Sequence, residues 1–409
     1  MKLNYFMGLI ACTALTMTGC SNDEINAPQQ SQGNNAIEFS TYLGRNAQGS
    51  RGTETSTTSI QTRGFGVLAY YTGQTDFADT NKPNFMWNQQ VTYDKTNKIW
   101  EYTPVKYWPT KVGDKVSFFA YAPYVAGGNA NDIVLSGNSV AGAPTATITL
   151  PDDPSNTIDF VAAVQMNKTH DNGENANNNV KFTLKHEMTR VKVQAKLDKS
   201  VYSDTDDKHK TFVVIKKVTF NDKGEFYKSG TYTFSTDDSK RGTWASAANA
   251  STYTLDLNGV LNTELIKAEG AKGETHSGDY KTGVQGLKLV DTTAKDLFKT
   301  NEYLFLIPVS ADNGDGLTNG NATATIEYDI VTEDSKLVAG YSCTSATKTV
   351  LLPAGTLKQG KSYNYIFTIK LDEIVLNAEV EGWDEIASDS NINVPYTPDN
   401  ATATTNPGA

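Results

Sequence analysis

The sequence has few cysteines and a deficit of basic residues, and each shortage excludes a kind of protein. Three cysteines occur in 409 residues, which excludes a disulfide-stapled scaffold. The 36 lysines and arginines are outnumbered by 46 aspartates and glutamates, and the formal net charge is −10. A chain of this charge has no extensive basic field, so nucleic acid is not an expected partner.

Motifs of the common enzyme classes are also missing. The sequence has no G-x-S-x-G nucleophile elbow and no glycine-rich phosphate loop. His186 and Glu187 begin like a zinc-binding helix, but the residue four positions after His186 is Arg190, so the second ligand is absent. We interpret His186 as a hydrogen-bonded strand residue near a domain junction. No catalytic residue, metal or cofactor is expected.

Three other features are interpreted as structural and not as functional sites. The oxygen-rich segment 312–316 lacks the spacing of an EF-hand and is interpreted as a turn. Cys343, in a predicted strand, is interpreted as a small buried residue. A group of aromatic residues suggests a sugar-stacking platform, although their alternation within strands favours core packing. That group comprises Trp87, Trp100, Tyr102, Tyr107 and Trp108.

The longest apolar stretch near the N-terminus has the character of a secretion signal. Residues 6–17, which follow Lys2, are mostly apolar but too few to span a bilayer. The segment MTGC, which ends at Cys20, resembles a bacterial lipobox, and the SNDE after it resembles the export signal of Bacteroidetes surface lipoproteins. We predict a signal peptide at 1–19, lipidation of Cys20 with fatty acyl chains such as palmitate, and a polar tether at 20–36.

Composition predicts an all-β chain. Twenty Tyr, 16 Phe and 32 Gly favour strands joined by turns over helices. A chain of this length is too long for one ordinary core, so we expect two β-domains, at 37–182 and 183–386. A tail follows at 387–409. Within it Ile392, Val394 and Tyr396 alternate with polar residues or proline, which makes a short strand with one apolar face available.

The first predicted strand is followed by a segment suited to proteolysis. At 37–43, Ile37, Phe39, Thr41 and Leu43 share one face at a period of two. The segment 44–64 is rich in small polar residues and is predicted to be an exposed loop.

Three arginines lie in that loop, and they are candidate cleavage sites. Arg51, in the flexible context GSRGT, is the first candidate and Arg45 is the second. Arg63 is the third arginine. The alternative is that all three are ordinary solvated loop residues.

Taken in order, several fragments resemble the fimbrillin family of the Bacteroidales, whose members are lipoprotein precursors of pilus subunits. The matching fragments are the lipobox with its acidic follower, FGVLAYYTG, SFFAYAPY, FTLKHEMTRVKV and VEGW. The resemblance implies two tandem transthyretin-like β-sandwich domains, passage through the outer membrane as a lipoprotein, and a place in a cell-surface fimbrium that supports adhesion. It also implies assembly by strand exchange after proteolysis.

The residues supply a physical reason for such assembly. Loss of the strand at 37–43 would leave a groove with unpaired backbone groups and with the pockets vacated by Ile37, Phe39 and Leu43. The tail strand of a neighbouring subunit has the alternation needed to fill that groove, so the chain would polymerise head to tail. The expected partners are other pilin subunits, an arginine-specific surface protease and, before processing, the outer membrane.

Two rival functions belong to other classes. A surface-anchored glycan-binding lipoprotein would keep its N-terminal strand and expose its tryptophans in one patch. An enzyme acting on polysaccharide would need two carboxylates about 5 to 10 Å apart in a cleft, and the sequence does not single out such a pair.

The sequence does not distinguish a stalk, tip or anchor role, and it does not identify the adhesion receptor or the protease.

Overall fold

A computed structural model describes most of the chain between residues 35 and 394. The described residues are 35–43, 54–129, 132–151, 157–170, 178–201, 211–222, 226–246, 253–256, 287–289, 291–297, 303–318, 322–333, 341–370, 373–381, 383 and 392–394. Cys20, Arg45, Arg51 and Tyr396 lie outside them. The all-β expectation is confirmed, because strands dominate the described residues and the helical elements are one helix and one 3-10 turn.

The elements of the first half of the chain include nine strands and both helical elements of the described residues. They are β1 (Glu38–Leu43), α1 (Thr57–Arg63), β2 (Phe65–Gly73), β3 (Met86–Asp94), β4 (Ile99–Glu101), β5 (Lys115–Ala122), the 3-10 turn η1 (Ala126–Gly128), β6 (Ile133–Leu135), β7 (Thr145–Thr149), β8 (Val161–Thr169) and β9 (Asn179–His186).

The remaining described elements are all strands. They are β10 (Thr189–Leu197), β11 (Thr211–Asp222), β12 (Ser229–Thr233), β13 (Thr243–Ser246), β14 (Tyr253–Asp256), β15 (Leu287–Leu289), β16 (Lys295–Asp296), β17 (Leu304–Leu306), β18 (Ala322–Glu333), β19 (Tyr341–Leu351), β20 (Ser362–Ile369), β21 (Ile374–Glu381) and β22 (Ile392–Val394).

Seven strands form one sheet, in the order β1-β9-β8-β5-β2-β3-β4. The strand predicted at 37–43 is confirmed as β1, at one end of this sheet, and it runs parallel to β9 in a register from Glu38 opposite Asn179 to Leu43 opposite Leu184. The other pairings in the sheet are antiparallel. Because the sheet curls, β1 also approaches β4 at the opposite end.

The later strands form two further sheets, and a fourth sheet joins the two halves of the chain. The two sheets are β16-β10-β20-β21-β22, with β17 also on β10, and β14-β11-β18-β19, with β15 also on β11. In the fourth sheet, β7 from the first half pairs with β12 from the second, with β6 beside β7 and β13 beside β12. The two halves are therefore bonded by backbone as well as packed together.

Among the described residues, two hydrophobic clusters make up the core. One surrounds β1 and contains Phe39, Phe65, Trp100, Phe118 and Phe182. The other runs from Leu68 in β2 to Trp383 and so includes side chains of both halves. The strand β9, whose side chains Val180, Phe182 and Leu184 belong to the cluster around β1, continues to His186, so the boundary expected at 182/183 falls inside a strand.

The prediction of a continuous exposed loop at 44–64 is wrong for its second part. Residues 57–63 form α1, and the side chain of Ser56 caps it by accepting a hydrogen bond from the Ser59 backbone, while the Ser59 hydroxyl accepts from the Ser56 backbone. Glu54 and Thr55, just before the cap, are buried, as is Ile60 in the helix. The reciprocal cap and one apolar anchor order a short sequence of weak helix formers.

The interpretation of Cys343 as a buried residue is also wrong. Cys343 does lie in a strand, β19, but it is exposed. It stands opposite Val331 of β18, and β19 is the last strand of its sheet. Most described residues of β19 are exposed, and Ala346 and Val350 on its other face are packed partly against the core.

Candidate functional site

The apolar side chains of β1 form the centre of the cluster around them. Ile37, Phe39 and Leu43 have at most 1% of their surface exposed. The Phe39 ring lies 5.1 Å from the Tyr102 ring and 5.8 Å from the Phe182 ring, centroid to centroid. At about 1.5 to 3 kcal/mol for each fully buried side chain, these three contribute roughly 5 to 9 kcal/mol before the entropy of ordering the strand. Much of the cluster's stability therefore depends on the presence of β1.

Backbone hydrogen bonds hold β1 on one side, and they hold the residues just before it, Asn35 and Ile37, on the other side as well. One side forms the parallel ladder with β9. On the other side, the Ile37 N–H donates to the Lys106 carbonyl at 2.9 Å, and the Tyr102 hydroxyl donates to the Ile37 carbonyl at 2.9 Å. The Trp108 N–H donates to the Asn35 carbonyl, also at 2.9 Å. Removal of residues 35–43 would leave an empty groove, called the slot below, in which backbone groups along β9 on one wall, and of Lys106 and Trp108 on the other, lose their present partners.

The second face of β1 is polar but also covered. Glu38 is 7% exposed and Ser40 is 1% exposed. The Asn179 amide donates to the Ser40 hydroxyl at 2.9 Å. Burial raises the pKa of the Glu38 carboxyl above its ordinary value, since water no longer stabilises the carboxylate fully.

Glu54, the first described residue after Arg45 and Arg51, is bonded to two distant residues. Its Oε1 lies 2.7 Å from Nη1 of Arg190 in β10 and accepts a hydrogen bond of 2.9 Å from Nε1 of Trp383. All three residues are at most 7% exposed. The Arg190 guanidinium also lies over the rings of Tyr303, at 4.4 Å, and Trp383, at 5.1 Å.

Thr55 is held by a second buried carboxylate. Its N–H donates to Oδ2 of Asp159 at 2.9 Å, and its hydroxyl donates to the Asp159 carbonyl at 2.5 Å. Nδ1 of His186 lies 2.7 Å from the same Oδ2, and its ring stacks on Trp383 at 4.1 Å. Burial raises the pKa of Asp159, although His186 opposes this effect.

The prediction that His186 is a hydrogen-bonded strand residue is thus confirmed, since it is the last residue of β9 and its ring is bonded to Asp159. Sequence reasoning missed the partners Glu54, Arg190 and Trp383. Two signals in the sequence could have indicated them: Arg190 lies within the apolar alternation of β10, and Trp383 lies close to the polar tail.

The predicted donor residues lie in another part of the fold. Ile392 and Val394 belong to β22, which pairs antiparallel with β21, Val394 opposite Ala378 and Ile392 opposite Val380. The structure therefore does not bring them beside β1. Tyr396, like Cys20, Arg45 and Arg51, is outside the described residues.

Most residues of the aromatic group predicted as a possible sugar platform lie in the hydrophobic core. Trp100 has 0%, Trp108 4% and Tyr102 6% of its surface exposed, as the alternation predicts. Trp87 is half-buried, with its indole N–H donating to the Ser136 carbonyl, and Tyr107 is 51% exposed. The group therefore presents no shared aromatic face to solvent.

The described residues also bear on metal binding and on crossing a membrane by a helix. No group of three or more His, Cys, Asp or Glu side chains is placed to hold a metal ion in this part of the chain. The described helix α1 has seven residues, far short of the roughly 20 that cross a bilayer, and no other described helix qualifies.

The fold and the surroundings of β1 define a class: β-sheet proteins whose first described strand is almost entirely buried. The sequence profile of the family described as "Fimbrillin-like" matches residues 53–383, so the chain belongs to that family. The resemblance inferred from the sequence is confirmed. This is a family of structural fimbrial proteins and not of enzymes, as the sequence predicts.

Two relatives extend the comparison. The fimbrium subunit Fim1C of Phocaeicola vulgatus is 32% identical over 405 residues, which cover 94% of this chain and 98% of the relative. The crystal structure of a fimbrial protein from Bacteroides vulgatus is 26% identical with a TM-score of 0.68, and the match covers 86% of this chain and all of that one.

Proposed function

We propose that the chain is a structural subunit of a cell-surface fimbrium that supports adhesion. It reaches the outer membrane as a lipoprotein acylated on Cys20, and an arginine-specific protease cuts it at Arg51, or at Arg45. It then polymerises by strand exchange, with other subunits as partners. Its two halves act as tandem transthyretin-like sandwich domains.

The observation that carries the proposal is the placement of β1. This strand is buried on both faces, and its connection to the next described residue, Glu54, passes through a segment that contains Arg45 and Arg51. Because Glu54 and Thr55 are bonded to Arg190, Trp383 and Asp159, a cut before them separates β1 without loosening the chain that follows. The match to the family profile begins at residue 53, beyond both arginines.

The vacated slot is suited to another strand. It has backbone groups on both walls and a floor of aromatic rings, which are the requirements for recognition by strand addition. The tail of a second subunit supplies Ile392, Val394 and Tyr396 after β22 leaves β21. Slot and donor are different surfaces of one chain, so each addition creates the next acceptor and the assembly does not close on itself.

The test uses the full-length precursor made lipid-free by Cys20→Ala and treated with an arginine-specific protease. We expect a new N-terminus at Gly52, release of the peptide that contains β1, and filaments in electron micrographs. Arg51→Ala moves the cut to Arg45 or abolishes it, and the double variant with Arg45→Ala stays monomeric. Arg63→Ala, at the exposed end of α1, is the matched control and polymerises like the wild type.

Cleavage must also occur in the cell. N-terminal sequencing of protein extracted from the cell surface should find the processed form. A lipidated Cys20 as the sole N-terminus of assembled fimbriae would refute processing, and with it the exchange mechanism. Truncation before residue 387 should leave a subunit that accepts a donor but does not donate.

A further inference from the structure

The side chain of Thr41 places a polar group on the apolar face of β1. It shares the apolar face of β1 with Phe39 and Leu43, because these residues alternate along the strand. Only 2% of its surface is exposed, and its hydroxyl has no hydrogen-bond partner in the described part of the chain. A buried hydroxyl without a partner loses its hydration and gains nothing in return, so it weakens the binding of the strand that carries it.

The tail contains a valine in the corresponding place. Ile392, Val394 and Tyr396 also alternate along the chain, and Val394 is the middle member, as Thr41 is between Phe39 and Leu43. Of the three, valine alone has the shape and approximate volume of threonine, with a methyl group where threonine has its hydroxyl. A close-packed site penalises a larger side chain, so volume matching places Val394 where Thr41 was. This match of middle residues holds whether the donor runs parallel or antiparallel to β9.

We infer that Thr41 determines which strand the slot prefers: β1 is the weaker occupant, and a donor with valine at this position is the stronger one. The inference rests on the proposed strand exchange and specifies its register. Exchange replaces an unpartnered hydroxyl by a methyl group of the same shape. The cleaved precursor therefore releases β1 more readily than a subunit releases its donor.

The experiment measures exchange directly in the lipid-free full-length precursor after cleavage. A synthetic peptide spanning residues 386–400 is added, and loss of the β1 peptide and capture of the donor are followed by mass spectrometry. Thr41→Val should slow the release of β1 about tenfold, and a Val394→Thr donor should be captured about tenfold more weakly, the usual effect of one unpaired buried hydroxyl. Thr183→Val is the matched control, since Thr183 lies in β9 but is exposed, and its rates should equal those of the wild type.

A second donor variant tests the register. Val394→Phe is too large for the space of Thr41, so this peptide should bind more weakly than the wild-type peptide. Tighter binding would place Val394 in the pocket of Phe39 and overturn the inference, as would release of β1 from Thr41→Val at the wild-type rate or faster. A wild-type precursor that keeps β1 after cleavage and takes up no peptide contradicts the proposed function as well. Normal wild-type exchange with unaffected variants contradicts the inference alone.

Discussion

Nε1 of Trp383 donates a hydrogen bond of 2.9 Å to Oε1 of Glu54, across 329 positions of the sequence. This bond joins the beginning of the family-matched region to its end, since the profile covers residues 53–383. Arg190 pairs with the same oxygen. The Glu54 carboxylate therefore connects its own segment to two others that are distant in sequence. The segment that follows the proposed cut is thereby part of the buried interior.

Glu54→Ala should destabilise the protein strongly. It leaves the buried Arg190 without its carboxylate, and the loss of one partner of a buried ion pair costs about 3 to 5 kcal/mol. Trp383→Phe retains a smaller ring against His186 and loses the hydrogen bond to Glu54, so about 1 to 3 kcal/mol is expected. Urea denaturation measures both, and Glu101→Ala, on an exposed carboxylate of β4, serves as the control. An unchanged midpoint for Glu54→Ala would show that the ion pair contributes nothing.

Phe39→Ala should weaken the first half of the protein by about 3 to 5 kcal/mol, because it empties a fully buried aromatic position. Hydrogen exchange should show lost protection in β9, the strand that pairs with β1. Thr183→Ala on the exposed side of β9 should have little effect. Equal stability of Phe39→Ala and the wild type would mean that no deep slot lies beneath β1.

The docking of β1 should strengthen as the pH falls. The pKa of Glu38 is raised in the folded protein, so its carboxylate opposes docking at a pH above the folded value, and protonation removes that opposition. Glu38→Gln should therefore stabilise the docking of β1 near neutral pH. It should make little difference below about pH 4, where the Glu38 carboxyl is mostly protonated whether β1 is docked or released. The difference between the two proteins in β1 release, measured across this range, isolates Glu38 from the other carboxylates. A constant difference would argue against the burial effect.

Trp100→Ala distinguishes a core role from a sugar-binding role. The Trp100 ring packs at 5.0 Å from both Phe65 and Tyr93, and it is fully buried. The variant should lose about 3 to 5 kcal/mol of stability. Tyr107→Ala, at an exposed aromatic, should leave the denaturation midpoint nearly unchanged. Glycan-array binding by the wild type that Trp100→Ala removes without a loss of stability would instead support the glycan-binding alternative.

Local patterns identified many elements because alternation is a property of neighbouring residues. The period of two in β1 depends only on Ile37, Phe39 and Leu43, and burial of all three follows from it. Helix α1 was missed because its order depends on a reciprocal Ser56–Ser59 cap and on Ile60, against weak helix propensities. Cys343 was misplaced because alternation does not show which strand ends a sheet and remains uncovered.

By itself, the sequence determined the all-β character, the apolar face of β1, the alternation of the tail and the family, since each is carried by residue types in order along the chain. Tertiary structure alone decided that β1 lies parallel to β9, that Glu54 meets Arg190 and Trp383, and that the Thr41 hydroxyl has no partner among the described residues. These facts depend on segments far apart in sequence. Their contacts arise from the packing of whole sheets, which no local pattern encodes.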